Sequence, residues 1–439
     1  MSRQDSGTPP RKWTAPAPRR LARDPLLRNS FFLTLNAGTQ AAVSFVFWLL
    51  NSHLYSAGQL GTATTLLSGA VTISWVSLFG FNSTFIRFLP ASRQPNEEIN
   101  TGLLMVFSTG LVAAVLYVVI VPLLVPRLGL VRESFSFAAG FIVLTAFMGV
   151  NLVTDSVFIA FRKAQYNVLV DGAIQGAVKL VLPVLLVGLG AYGVFMSAGL
   201  AAVVAVAASI VFMMQIVDYR PRLRVSPGAL RRTWDYSAAN YGANLLALCP
   251  ALAIPLIVLD IRGPRQAAFY FVAYQVANLL FALGWAVSSS FFAEGSHEGS
   301  DLASLLRRSA KVIALVCIPC GIFVAATGHW ILLLFGLAYS VGGTSTLAIL
   351  ALSTPLVALS SMAMTVLRIT KQLRALVLST AVYAAVIVSL ALLGAGHGLP
   401  WVATAYVVGT TAAGLLAAGL AAIRLRGDSA PRDVRPVPR

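Results

Sequence analysis

The sequence predicts an all-α polytopic membrane protein, in which about 12 transmembrane helices form two six-helix lobes related by a parallel pseudo-two-fold repeat. Three observations predict this fold: an apolar composition, apolar segments of membrane-spanning length, and basic residues on alternate connections. The mean hydropathy is +0.81 and 11% of the residues are charged. A soluble domain usually carries about 25% charged residues, so most of this chain is expected to lie in lipid.

The apolar segments each have the roughly 20 residues that a helix needs to cross about 30 Å of hydrocarbon. Backbone groups in lipid must be hydrogen-bonded internally, so these segments are expected to be helices. Gly, Ser, Thr and amide residues interrupt the second and the eighth. The predicted spans are 30–51, 62–84, 101–124, 136–160, 168–189, 193–217, 237–259, 267–291, 311–334, 345–367, 375–394 and 400–423.

The basic residues alternate from one side of these spans to the other. One side, which includes both tails, holds 27 of the 32 Lys and Arg residues, whereas the other side holds four. The positive-inside rule then predicts a multi-pass protein of the plasma (bacterial inner) membrane with both termini cytoplasmic. The net charge of +17 is explained by this topology and by contact with anionic membrane lipids, so no nucleic-acid partner is expected.

The longest basic connection, Asp218–Asp235, lies midway and divides the chain into two halves of six spans. The halves also match in sequence at an offset of 207 residues, which pairs Gln59 with Gln266, Phe85 with Phe292 and Gln165 with Gln372. An even number of spans in each half makes the repeat parallel. The predicted organisation is a disordered tail (1–28), an N-terminal lobe (29–217), a basic linker (218–235), a C-terminal lobe (236–424) and a second tail (425–439).

Signatures of an enzyme are missing from the sequence. There is no Gly-x-x-x-x-Gly-Lys-Ser/Thr motif, which argues against ATP hydrolysis. The four histidines occur singly and lack the spacing of metal ligands, and no segment between spans exceeds about 20 residues. We therefore expect a protein that is not an enzyme and has neither a cofactor nor a metal site.

Polar residues inside the spans are the best candidates for function. Lys179 lies twelve residues past Asn167, about 18 Å deep at 1.5 Å per residue. A lysine at that depth costs about 2.5–3.5 kcal/mol, so it should face a cavity or a partner rather than lipid. Asp171, Gln175 and Lys179 are spaced i, i+4, i+8 along one stripe of the fifth helix.

The fourth helix carries a similar pair, Asn151 and Asp155, at i and i+4. A short turn joins the two helices, so they should be antiparallel neighbours. This pattern predicts either a polar cavity open to the inner side with Lys179 at its floor, or a buried charge network that holds two helices together. The positions 207 residues further on are apolar, so only the first half carries these groups: Met362, Leu378, Val382 and Val386.

The stretch Asn29–Pro90 resembles a known family. A basic lead-in precedes the first span, Leu54–Thr62 (LYSAGQLGT) follows it, and the Gly- and Ser-rich second span closes with Gly80–Pro90 (GFNSTFIRFLP). This layout resembles the polysaccharide-flippase branch of the multidrug/oligosaccharidyl-lipid/polysaccharide exporter superfamily. Six-plus-six parallel lobes without soluble domains extend the resemblance over most of residues 29–424.

The resemblance implies a transporter that moves a polyprenyl-diphosphate-linked oligosaccharide from the inner to the outer leaflet by alternating access, in cell-surface polysaccharide biosynthesis. A cavity cation such as Lys179 would offset the diphosphate charge. Family members are expected to use an ion gradient or membrane potential, and Asp155 or Asp171 is then a candidate proton or sodium site. Anionic lipids and glycan-assembly enzymes are the expected partners.

Further candidates for substrate binding are amide pairs in the first helix of each half and one arginine. The pairs Asn36/Gln40 and Asn240/Asn244 either line a central cavity and bind sugar hydroxyls or join helices. Arg87 either receives an anionic headgroup or anchors the topology. The aromatic residues Trp285, Tyr270 and Tyr274 can stack on sugar rings, but lipid-facing or interfacial positions are expected.

Two alternatives remain open from the sequence. One is a cation-coupled multidrug or metabolite exporter of the same fold, which should show acidic residues near the midplane and a more aromatic lining. The other is a membrane enzyme or non-transport subunit of a glycan-assembly pathway, which would need an outer loop with catalytic acids.

Overall fold

The computed structural model describes residues 25–222, 225–295 and 301–428, with the side chains in these ranges except 25–27, Ser30, 229–244 and 425–428. The described chain is 91% helical and contains no strand. Ten helices are long and apolar enough to cross a membrane, and two pairs of shorter helices, each bent by 45°, complete 12 spans. The predicted fold class is confirmed.

Seven helices form the N-terminal lobe, here called the N-lobe. The second and third together make one bent span. The helices are α1 (Pro25–Leu54), α2 (Ala57–Ser77), α3 (Phe81–Phe88), α4 (Pro95–Leu124), α5 (Phe135–Ala160), α6 (Gln165–Leu185) and α7 (Gly190–Ile216).

Seven helices likewise form the C-terminal lobe, or C-lobe, and here the fourth and fifth make the bent span. They are α8 (Pro227–Arg262), α9 (Pro264–Gly295), α10 (Leu302–Leu333), α11 (Leu337–Leu352), α12 (Thr354–Ile369), α13 (Leu373–Gly394) and α14 (Leu399–Asp428). Helix α1 begins, and α14 ends, four residues inside the predicted tails, the rest of which lie outside the described residues.

The bend between α2 and α3 is set by two residues with positive φ, Phe79 at 46° and Gly80 at 81°. This left-handed backbone ends a helix, and glycine adopts it without a Cβ penalty. The carbonyl of Ser77, freed by the bend, accepts a hydrogen bond of 3.0 Å from the Thr109 hydroxyl of α4. A span broken in this way keeps its backbone groups bonded inside the protein, as lipid requires.

The bend between α11 and α12 has a different cause, because Pro355 lies in the first turn of α12 and lacks an N–H to continue α11. The two hydroxyls before it bond carbonyls at the end of α11, and one of these, Ala351 O, is the carbonyl that the proline leaves free. Ser353 donates to Leu350 O and Thr354 to Ala351 O, each at 2.7 Å.

The arrangement of the core shows how the lobes meet. The end of the bundle at which α1 begins and α14 ends, together with the basic connections, is called the basic end. There the two lobes have separate apolar cores, one around Phe81 and Phe158 and one around Phe291 and Leu367. At the opposite end one apolar cluster contains residues of both lobes. The lobes are therefore packed together at the opposite end and part from each other toward the basic end.

Close packing of α2 against α9 forms the centre of the joint at the opposite end. A Cβ atom on Gly61 would collide with the carbonyl oxygen of Pro264, so only glycine fits there. Arg127 donates a 2.8 Å hydrogen bond across the lobes to Leu259 O, and the Trp48 and Phe271 rings meet at 4.5 Å. Helices α2 and α9 are also the pair that the 207-residue offset relates.

The connection between the lobes is bonded along the N-lobe. Asn100 of α4 accepts hydrogen bonds from the Tyr219 hydroxyl at 2.7 Å and from Arg222 N at 2.9 Å. Thr101 accepts a further bond from Ser226 N at 2.8 Å. The chain becomes helical again at Pro227, inside the predicted linker 218–235.

Candidate functional site

A cavity of about 670 Å³ lies between the two lobes. Its lining comes from five spans of the N-lobe (α1, α2, α5, α6 and α7) and four helices of the C-lobe (α8, α9, α13 and α14). Because the lobes share their core only at the opposite end, the cavity is closed there and faces the basic end. Trp75 and Trp285, each more than 40% exposed, stand on the side toward the basic end.

Lys179 of α6 lines this cavity, and it is the one charged side chain among the described lining residues. Its ammonium lies 4.9 Å from the centre of the Phe47 ring, a cation–π contact that partly replaces lost hydration. Among the described residues no carboxylate pairs with it. The cost argument thus predicted correctly that Lys179 faces a cavity and not lipid, and its charge is available to an anionic ligand.

The C-lobe wall of the cavity is aromatic. Four tyrosines from three helices meet there: Tyr270 and Tyr274 of α9, Tyr383 of α13 and Tyr406 of α14. The ring centres of Tyr274 and Tyr406 are 5.7 Å apart. The expectation that Tyr270, Tyr274 and Trp285 lie at lipid-facing or interfacial positions is therefore wrong, because all three line the cavity.

A second polar group surrounds Asp171 of α6, and we call it the carboxylate cluster: Asn36, Gln40, Asn151, Asp155 and Asp171. Gln40 donates to Asp171 Oδ2 and Asn151 to Asp171 Oδ1, each at 3.4 Å. Asn36 and Asp155 also lie beside the Asp171 side chain. The cluster joins α1, α5 and α6. Helix α6 packs mainly along α1 and α7 and meets α5 only in part, so the predicted side-by-side packing of the fourth and fifth spans is limited.

Several oxygens of the carboxylate cluster lack a donor. Asn36 Oδ1, Asn151 Oδ1 and Asp155 Oδ1 are buried without a hydrogen-bond partner. The carboxyls of Asp155 and Asp171 are also neighbours, and two buried carboxylates side by side repel unless a proton or a cation neutralises one of them. Buried polar atoms are normally satisfied, and oxygen ligands are what hard cations take, so this arrangement suits a proton or a small cation. No group of three or more His, Cys, Asp or Glu side chains in the described chain is placed for a metal.

The local form of α6 explains why Asp171 and Lys179 have different surroundings. Residues Val168–Gln175 form a π-helix, whose wider turn breaks the i, i+4, i+8 stripe that an α-helix would give. Glycines on the same stretch let α1 come close: a Cβ atom on Gly172 would lie 2.8 Å from Thr39 Cγ2. This approach brings Asn36 and Gln40 to Asp171, while Lys179, beyond the π-helix, reaches the central cavity.

The remaining sequence candidates do not join either group. Gln175 is half-buried but lies neither in the carboxylate cluster nor in the cavity lining. Arg87 is exposed at the end of α3, where its guanidinium packs 5.3 Å from the centre of the Phe88 ring. The side chains of Asn240 and Asn244 lie outside the described residues, although their backbone is part of α8.

Comparisons with known proteins agree with this architecture. The model of a family described as "Polysaccharide biosynthesis protein" matches residues 56–342, more than half of the chain. The chain belongs to this family. No curated protein matches the chain. The family resemblance stated from the sequence is thereby confirmed.

The fold is that of transporters of the MOP superfamily. A structure titled as the inward-facing conformation of a multidrug resistance MATE family transporter superposes with a TM-score of 0.69, at 14% identity over 89% of this chain and 96% of that one. The outward-facing conformation gives 0.63 at 14% identity over 93% and 98%. A MOP superfamily transporter from Pyrococcus furiosus gives 0.63 at 13% identity over 93% and 98%. The chain therefore shares the multi-pass helical fold of these transporters.

Proposed function

We propose that this protein is a transporter, which moves a polyprenyl-diphosphate-linked oligosaccharide from the inner to the outer leaflet by alternating access. The observation that carries the proposal is the interlobe cavity, in which Lys179 stands as a half-buried cation with no carboxylate partner among the described residues. Such a charge in a low-dielectric site attracts an anion far more strongly than it would in water. The diphosphate of a glycolipid supplies that anion, and the cavity shields the sugars from hydrocarbon.

A groove between α1 and α9 supports a lipid-linked rather than a soluble substrate. Its volume is about 160 Å³, and its walls are mostly apolar, with Phe45, Leu279 and Phe335 among them. It shares Ser44, Trp48, Gln275 and Asn278 with the central cavity. A polyprenyl chain held in this groove leaves the polar head in the cavity while its tail stays in lipid.

The charge distribution supports the direction of transport. Lys and Arg cluster on the connections at the basic end, which the positive-inside rule assigns to the cytoplasm together with both termini. The cavity faces that end, so the form described here is open to the leaflet in which lipid-linked sugars are assembled. Anionic headgroups bind the basic connections, and the glycan-assembly enzymes supply the substrate from the same side.

The carboxylate cluster supports coupling to a cation gradient. Asp155 and Asp171 are buried beside amide oxygens that have no donor, on the same helices that carry Lys179 and the α1 wall of the cavity. Binding of a proton or sodium ion there neutralises buried charge and changes how α1, α5 and α6 pack. The cation therefore shifts the balance between inward- and outward-open forms.

The test combines lipid analysis with a charge variant. Cells depleted of the protein should accumulate one polyprenyl-diphosphate oligosaccharide, detected by mass spectrometry of lipid extracts, and the wild-type gene should clear it. Lys179→Met should be present at normal folded levels and fail to clear it. Lys311→Met, which changes an exposed lysine in the third turn of α10 outside the cavity, should behave as wild type. No change in any lipid-linked glycan would contradict the proposal.

The second candidate function is cation-coupled export of a small molecule, which the tyrosine wall and the carboxylate cluster favour. Aromatic side chains bind flat organic cations, and the solved neighbours include multidrug transporters. Lys179 weighs against a cationic cargo because like charges repel in a buried site. Unchanged glycolipids together with raised sensitivity to several toxic compounds on depletion would favour this candidate.

A further inference from the structure

We propose that the tyrosine wall of the C-lobe is the glycan-binding subsite of the cavity and that it accepts electrically neutral sugars. This inference rests on the proposed function, in which Lys179 holds the diphosphate. It adds a second set of binding residues and a property of the cargo that neither the family match nor the neighbours give. The residues are Tyr270, Tyr274, Gln275, Asn278, Tyr383 and Tyr406.

The tyrosine wall has a hydroxyl group that is free to bond a ligand. The Tyr270 side chain is 4% exposed and lines the cavity, yet its hydroxyl has no hydrogen-bond partner. A buried hydroxyl without a partner costs free energy, which a ligand that bonds it returns. The rings of Tyr274 and Tyr406 beside it pack edge to face, so this part of the wall is already ordered.

Helix α9 also presents two amide side chains to the cavity. Tyr270, Tyr274 and Asn278 are spaced i, i+4, i+8 on α9, and Gln275 lies beside them. Neither Gln275 nor Asn278 bonds to another part of the described chain, although both line the cavity. Rings beside amides and hydroxyls form the surface that sugars require, since a sugar has apolar C–H faces edged by hydroxyl groups.

The subsite also lies level with the cation. Tyr270 is six residues from the start of α9 and Tyr406 is seven from the start of α14, which places them about 9–11 Å from the opposite end. Lys179 is six residues before the end of α6, at the same depth of about 9 Å. A head group can therefore touch Lys179 on the N-lobe and the tyrosines on the C-lobe at once.

The charge of the cavity sets the specificity. Lys179 is the one charged side chain among the described lining residues, and the diphosphate already carries more negative charge than one lysine offsets. Among the described lining residues a carboxylate on the glycan would find no cation of its own, and burial of an unpaired charge is strongly unfavourable. A glycan of neutral hexoses or N-acetylated amino sugars meets no such penalty.

Binding of short-chain analogues to the purified full-length protein tests the inference. The probes are farnesyl diphosphate, farnesyl diphosphate linked to a neutral disaccharide, and the same compound with a hexuronic acid as the second sugar. Three of the seven tryptophans, Trp48, Trp75 and Trp285, line the cavity and report binding by fluorescence. We expect the neutral sugar to tighten binding about tenfold over farnesyl diphosphate, and the uronic acid to remove that gain.

A pair of matched variants locates the subsite. Tyr270→Phe should lose most of the gain from the neutral sugar and keep the affinity for farnesyl diphosphate. Tyr339→Phe is the control: its hydroxyl is equally buried and unpartnered, but it does not line the cavity. Its binding of all three probes should match that of wild type.

The outcomes separate the two proposals. Lys179-dependent binding of farnesyl diphosphate with no gain from the neutral sugar, or with equal binding of the uronic acid compound, would overturn the subsite and leave the proposed function standing. An equal loss in Tyr270→Phe and Tyr339→Phe would also overturn it. No binding of any probe by the wild-type protein would contradict the proposed function itself, and the subsite with it.

Discussion

The two lobes share one plan of six spans and differ in chemistry. In the N-lobe, α6 carries Asp171, Gln175 and Lys179, whereas α13, its equivalent 207 residues on, carries Leu378, Val382 and Val386. Helix α13 instead contributes Tyr383 to the cavity lining. The N-lobe thus holds every charged residue of the two polar groups, and the C-lobe wall of the cavity holds tyrosines and amides.

The contrast between the lobes shows that the repeat preserves helix packing, whereas the polar residues differ from one lobe to the other. Equivalent helices α2 and α9 meet at the joint between the lobes, so the repeat sets the packing. Buried charge is costly in lipid and needs amide and carboxyl partners from several helices. One lobe that gathers these partners can respond to a cation, while the other keeps an uncharged surface for the cargo.

Asp171→Asn should have the largest effect, because it removes the central charge of the carboxylate cluster. The amide has the same shape as the carboxyl and keeps one acceptor oxygen, and its NH2 group gains an acceptor when the Gln40 or Asn151 amide turns over, so folded levels should stay near those of wild type. Gradient-driven transport should fall to background, and binding of farnesyl diphosphate should be unchanged since Asp171 does not line the cavity. The measurement is transport in proteoliposomes with and without a cation gradient.

The control for that variant is Asp260→Asn, which removes a carboxylate from the C-lobe at the end of α8. It should transport as wild type does. If both variants transport normally, the carboxylate cluster is a structural network. The difference between the lobes would then have no role in coupling transport to a cation gradient.

Gly61→Ala should have the next largest effect because it tests the joint that the lobes share. The new Cβ would collide with the Pro264 carbonyl, which is backbone and cannot move aside. Overpacking of this kind costs about 1–3 kcal/mol, so the thermal unfolding temperature should drop. Gly58→Ala on the same helix is the control, since a Cβ there meets only Ser56 Oγ at 4.0 Å. Equal stability of the two variants would show that the α2–α9 contact is looser than described.

Most of the fold could be predicted from the sequence, because lipid imposes span length and charge bias directly on the residues. The bends were not predicted. The 62–84 segment reads as one span, although Phe79 and Gly80 turn its end by 45°. A hydropathy window averages over such a break, and only the backbone angles reveal it.

The site was predicted in part. The cost of placing a lysine in the membrane led to Lys179, and the i, i+4 spacing led to both carboxylates. The π-helix that gives Asp171 and Lys179 different surroundings has no simple sequence signal. The tyrosine wall was missed because an aromatic residue can face lipid or a cavity equally well. The spacing of Tyr270, Tyr274 and Asn278 was the available signal, since an amide on the same stripe is costly in lipid.

The attachment of the linker to the N-lobe yields the smallest predicted effect. Asn100→Ala removes the acceptor of the Tyr219 hydroxyl and of Arg222 N, and the donor to Arg220 O at 3.1 Å. Groups left without partners cost about 1–3 kcal/mol, so the free energy of unfolding should fall by the lower part of that range at this partly solvated end.

Asn96→Ala supplies the comparison for this last variant, because Asn96 accepts only one short bond, from Arg220 N at 2.9 Å, and its contact with Asp218 O is 3.5 Å long. Its loss of stability, measured by chemical denaturation in the same detergent, should be less than half that of Asn100→Ala. If the linker moves with the N-lobe as one unit, both variants should also weaken transport. Each variant loosens the attachment of the linker to α4, so a movement of the N-lobe would be passed less directly to the C-lobe. Normal transport in both would mean that the lobes are guided by the α2–α9 joint alone.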